Sequence, residues 1–277
     1  MNAWRAALAV VALGSCSLLA ATRYHGATAL NPRLEIRRGS RTLRDGRLQG
    51  GQPIDAQQAA QRFPALYGLD EALSLVPVAL TPARLLVDVE PEGPGPRVEL
   101  DRGGGSLLIR QGAERLPTSV WLHELGHARM LGARPTAPLA ARVLHAIDEG
   151  AADYFAACLG RDPRVGDASE LRDLRQPPRV DASEWATLAL PLLFDAHRMG
   201  WALAARLYEA EPEPGPLIGA LAACLDGPSE LATCADTPAA AVRALLKACH
   251  AGRERERISS VLAAWLPAEL SAQESLP

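Results

Sequence analysis

Two periodicities divide this chain. Through its second half, apolar residues return every three or four positions, the step that lines one face of an α-helix. The pattern predicts helices over about 119–131, 139–159, 185–190, 191–209, 217–224, 237–249 and 257–265. Between about residues 79 and 115 the step changes. Leu85-Leu86-Val87-Asp88-Val89-Glu90, Arg97-Val98-Glu99-Leu100 and Leu107-Leu108-Ile109-Arg110 read as strands parted by Pro/Gly turns. Ahead of them, Ala56 to Leu66 reads as helical, with a continuation over Leu69 to Ser74. Asn31 to Gln52 is rich in Arg and Gly and reads as a tether or a small hairpin. Together these elements predict an α+β fold, with a small sheet packed on one helix and a mainly helical C-terminal half.

The helix after Pro117 carries the chemistry. Pro117-Thr118-Ser119 supplies a breaker and N-cap candidates, and Gly132 with Pro135 ends the run. Inside it stands His123-Glu124-Leu125-Gly126-His127. Residues four apart share a helix face, so His123 and His127 can offer ring nitrogens to one metal ion. Glu124 lies beside them, placed to take a proton from a metal-activated water. Gly126 costs about 1 kcal/mol of helix propensity, which predicts a close approach of backbone there.

A catalytic zinc takes three protein ligands and leaves a fourth position for water. The extended three-histidine pattern fails, because Met130 and Ala133 occupy its glycine and histidine positions. The next helical segment reads Asp148-Glu149-Gly150-Ala151-Ala152-Asp153. Glu149 and Asp153 are again four apart. Glu149 suits the third ligand, and Asp153 suits an acceptor for the second nitrogen of a ligating histidine. Asp148 competes for the ligand role. A single residue step turns a helix by about 100°, so only one of the adjacent acids is expected to face the histidines. His145, on the Glu149 face, reads as a supporting or cleft-lining group.

With His123-Glu124-x-x-His127 followed one helix later by Glu149-x-x-x-Asp153, the chain resembles the gluzincins, the thermolysin-like zinc metallopeptidases. The matched part runs from about Ser119 to Tyr154. The resemblance implies one zinc ion held by His123, His127 and Glu149, with Glu124 as general base and Asp153 supporting a histidine. It also implies hydrolysis of peptide or protein substrates. The family draws an oxyanion donor from a later helix, and His197 is the candidate here, ahead of Tyr154 and Tyr208. An edge strand ahead of the site helix pairs with extended substrate in such enzymes, and Leu107 to Arg110 is the segment expected to do so. The alternative reading is a catalytically inactive zincin-like binding module of the cell envelope.

Composition adds limits. The 277 residues are 48% hydrophobic with a net charge of −3, which excludes the basic surface of a nucleic-acid binder. Residues 1–29 hold one early arginine and a short apolar run, as in an export signal. Leu13-Gly14-Ser15-Cys16 resembles a lipobox, so Cys16 is a candidate lipid anchor. Ala27-Thr28-Ala29 is an alternative cleavage site, and an uncleaved anchor is a third reading. The expected location is exported, in the cell envelope, periplasm or extracellular space. Residues 30–55 then read as a tether and 56–277 as a single domain, β-rich over 79–115 and helical over 116–277. Setting Cys16 aside leaves Cys158, Cys224, Cys234 and Cys249. Two disulfides, such as Cys224–Cys234 with Cys158–Cys249, are one arrangement of three, and four buried thiols are the other outcome.

Overall fold

The computed structural model describes residues 34–42, 48–53, 65–77, 80, 85–89, 97–100, 107–111, 116–130, 138–168, 170–190, 192–225, 242 and 253–266. The N-terminal 33 residues, with both candidate cleavage sites, lie outside these, as does nearly all of the helix expected over 237–249. No described helix is long and apolar enough to cross a membrane.

The architecture is α+β and mostly helical. Strands β1 (Leu34–Thr42), β2 (Leu48–Pro53), β3 (Leu85–Val89), β4 (Arg97–Leu100) and β5 (Leu107–Gln111) form one sheet in the order β2-β1-β3-β5-β4. β1 and β3 are parallel, as are β3 and β5, whereas β2 and β4 run antiparallel to their neighbours. The Arg/Gly-rich segment is therefore the hairpin of its two readings. Pairing of Ile36 with Val87 joins its first strand to the sheet.

The expectation for Leu107 to Arg110 is corrected. β5 is hydrogen-bonded on both sides, by β3 and β4, and has no free edge to offer a substrate. Strand propensity alone does not reveal which strand ends a sheet. The edges are β2 and β4.

Helix α1 (Ala65–Leu75) buries Leu66, Leu69, Ala72 and Leu73, spaced for one face, against α2 (Thr118–Met130). The centre of the molecule is α3 (Pro138–Gly160). From Val143 to Leu159 it is buried nearly all round, and α2 and a later helix, α5 (Ala196–Ala210), pack on its sides. After α3 comes a hairpin of β6 (Arg164–Gly166) and β7 (Leu171–Asp173), in a region where the pattern predicted helices and connections only. These strands are too short for a two-residue alternation to register. Gly166, at φ 110°, takes a conformation that only glycine adopts without strain.

α4 (Ala182–Ala186) follows, opened by a capping box of Asp181 and Glu184. The next helix was expected from Pro191. α5 instead starts at Ala196, because the Asp195 carboxylate accepts from the Arg198 amide and caps it there. α6 (Pro216–Leu225) and α7 (Arg253–Trp265) complete the described fold. Trp265 closes the back of α5 by donating its indole N–H to the Met199 carbonyl at 3.0 Å. Cys158 is a buried free thiol in contact with the Glu211 carbonyl. Cys249, the partner the sequence offered it, lies outside the described residues.

Candidate metal centre

Close helix contact brings the chemical groups together. A Cβ on Gly126 of α2 would stand 2.9 Å from the Ala152 Cα of α3, so glycine is what lets these helices meet. This is the close approach expected from the sequence. On the other side of α3, a Cβ on Gly200 would lie 2.7 Å from both the Glu149 Cβ and the Gly150 amide nitrogen. α2 delivers His123, Glu124 and His127, α3 delivers Asp148, Glu149 and Asp153, and α5 delivers His197.

His123, His127 and Glu149 converge as expected. The two Nε2 atoms are 2.9 Å apart, and each is 3.4 Å from Glu149 Oε2. All three residues are buried, at 5–8% exposure. The opposite edges of the rings are occupied. His123 Nδ1 donates to Asp153 Oδ1 at 2.7 Å, and His127 Nδ1 donates to Asp148 Oδ2 at 3.0 Å. With those protons committed, both Nε2 lone pairs face the Glu149 oxygen, which has no hydrogen-bond partner of its own. Three acceptors this close repel one another unless a cation lies among them. Tetrahedral zinc, with bonds of about 2.0–2.1 Å, spaces its ligand atoms at about 3.3 Å. The residues fit a metal ion.

The electrostatics agree. Burial opposes charge on His123, as does His127, yet the hydrogen bond to Asp153 and the nearby Glu149 carboxylate raise its pKa. Burial likewise opposes charge on His127, but Asp148 and then Glu149 raise its pKa well above the ordinary histidine value. For Glu149, burial pushes the pKa up, while the adjoining His123 and His127 rings and the hydrogen bond from His145 outweigh it and hold the carboxyl far below the usual range. The pocket thus favours positive charge at the point where the nitrogens meet.

Asp153 sits as the sequence predicted, and at 1% exposure it is the most buried acid in the site. The exclusion of one adjacent acid is corrected: Asp148 and Glu149 both face the histidines. Glu149 reaches the Nε2 side, and Asp148 reaches around to the Nδ1 edge of His127. Two ring edges need carboxylates from different directions, which a 100° step supplies. Arg172 of β7 was not anticipated. It is buried, with Nε 3.0 Å from Asp153 Oδ2 and Nη1 2.9 Å from Glu170 Oε1. A buried arginine in a short hairpin leaves no periodic signal; its partner is set by tertiary folding.

Glu124 is 7% exposed, and among the described residues no hydrogen bond or ion pair holds its carboxylate. His197, half-exposed on the first turn of α5, points Nε2 to within 3.5 Å of Glu149 Oε2. It lies outside the converged ligand group. Its turn is held by Arg198, which pairs with Glu184 and donates to the Arg179 carbonyl at 3.1 Å. His145 donates toward Glu149 Oε1 at 3.1 Å. Tyr154 and Tyr208, the other donor candidates, face elsewhere. Tyr154 Oη reaches Glu211, and Tyr208 lines a cleft of about 760 Å³ with Arg175, Arg179, Arg206 and Trp265. That cleft contains none of the metal-site residues.

Searches against protein families, curated proteins and solved structures find no match to this chain.

Proposed function

We propose that the protein is a zinc-dependent peptidase of the gluzincin kind, with a zincin-like arrangement of sheet and site helix. The observation that carries this reading is the convergence of His123 Nε2, His127 Nε2 and Glu149 Oε2, each histidine backed by a carboxylate. Two imidazoles and one carboxylate are a donor set of catalytic zinc, and three ligands leave a position open. A zinc ion bound there would acidify a water and polarise a substrate carbonyl.

The chain's own residues supply the rest. Glu124 accepts the proton from the attacking water and returns it to the departing amine. Its carboxylate is free for this because no described residue holds it. Asp153 and Asp148 fix the tautomers and orientations of His123 and His127. His197, whose Nε2 stands beside Glu149 Oε2, donates to the oxyanion that develops on the substrate. Export, with Cys16 as a lipid anchor or cleavage near Ala29, completes the proposal.

The test is zinc analysis of the wild-type protein beside Glu124→Gln, with both incubated on a mixed peptide library. The expected result is one zinc in each and cleavage by the wild type alone, the variant being slower by about 10²–10⁴-fold. Zinc in both without cleavage by either points to the inactive binding module. Equal cleavage by both removes Glu124 as the base.

A further inference from the structure

The two oxygens of Glu149 live in different surroundings. Oε2 faces the two Nε2 atoms of α2 at 3.4 Å and His197 Nε2 at 3.5 Å, and has no hydrogen-bond partner. Oε1 is 3.1 Å from His145 Nε2. His145 is four residues before Glu149 on the same helix, so helix geometry itself holds the two side chains together. Its side chain is about half exposed, and because a carboxylate only accepts, Nε2 is the proton-bearing nitrogen of this contact. The nearest other ring is His197, with centroids 6.3 Å apart, too distant to take that proton.

We propose that His145 sets how Glu149 binds a metal: by occupying Oε1 it restricts Glu149 to a single oxygen, Oε2, and so keeps a coordination position open. A carboxylate can hold a cation through one oxygen or two, and small differences decide which. A hydrogen bond to a charged acceptor is among the stronger polar contacts available. Here it lies on the oxygen turned away from the histidines. Without it, Oε1 is free to rotate inward and fill the place that water and substrate need. His145 is thus a positioning residue, acting through Glu149 and touching neither substrate nor metal. The inference rests on the metal-site reading above.

The test uses cobalt(II) in the full chain, because its visible absorption separates four-coordinate from five-coordinate sites. Wild type, His145→Gln and His145→Ala are compared at one equivalent of bound cobalt. Glutamine keeps an N–H donor at similar reach. Wild type and His145→Gln are expected to give the intense four-coordinate spectrum, and His145→Ala a several-fold weaker five-coordinate one. A five-coordinate wild type, or a spectrum unchanged in His145→Ala, overturns the inference and leaves the metal site standing. His145→Gln behaving like His145→Ala also overturns it. Failure of the wild type to take up cobalt at this site overturns both together.

Discussion

His127 Nδ1 lies 3.0 Å from Asp148, the residue directly before the Glu149 whose carboxylate faces the Nε2 edge of the same ring. Two consecutive acids of α3 thus hold opposite edges of one imidazole. Asp148→Asn keeps the shape but can present its amide to Nδ1 and lose the charge that favours a cation. Zinc affinity is expected to fall by about 10–100-fold. Competition against a chelator of known affinity measures this. Unchanged affinity would assign Asp148 to the surface alone.

Arg172 links the hairpin to the metal centre through Asp153 and His123. Removing it leaves the Asp153 carboxylate buried at 1% exposure without its guanidinium. Breaking a buried pair from one side costs about 3–5 kcal/mol. Arg172→Ala is expected to lower the urea midpoint accordingly and to weaken zinc binding. Asp153→Asn in the Arg172→Ala background should then cost less than it does alone, which a double-mutant cycle will show.

Gly200→Ala sets two effects against each other. Alanine gains about 1 kcal/mol of helix propensity over glycine. Its methyl group, however, would meet the Gly150 amide at 2.7 Å and the Ala146 carbonyl at 2.9 Å, both backbone atoms that cannot swing aside. Overpacking of this kind costs about 1–3 kcal/mol, and the clash is expected to win. Calorimetry should show a melting temperature lower by a few degrees. An increase would mean that α5 stands off from α3.

Zinc removal tests the convergence directly. Binding only to the folded chain adds about 2.7 kcal/mol when free zinc is about 100 times its dissociation constant. Thermal unfolding should therefore shift down by several degrees with chelator and recover with zinc. The double variant His123→Ala/Glu149→Ala should show no zinc-dependent shift. A full shift in that variant would place the metal elsewhere.

The legible part of the site was the part encoded by short spacing. His123 with His127, and Glu149 with Asp153, each sit one helical turn apart, so one periodicity exposes both pairs. Strands β3, β4 and β5 showed themselves as short segments, each holding leucine and at least one β-branched residue, parted by Pro and Gly. Arg172 and Asp148 were hidden for different reasons. Arg172 joins Asp153 only through the fold of a hairpin three residues deep in each strand. Asp148 was set aside because a 100° helical step was expected to turn only one of two adjacent acids toward the histidines. The mistaken edge strand has the same origin. Local sequence gives strand propensity, whereas neighbour order is decided by the path of the whole chain.

Small residues line α3 on both flanks, Ala152 and Gly126 toward α2 and Gly150 with Gly200 toward α5. Mechanically, no layer of side chains remains there to compress or to slide. The three helices form a stiff slab, and the metal-site residues they carry move as one body. Any closing of the protein around a bound molecule must then be borne by segments outside that slab. A crosslink between α3 and α5 should leave such a motion untouched.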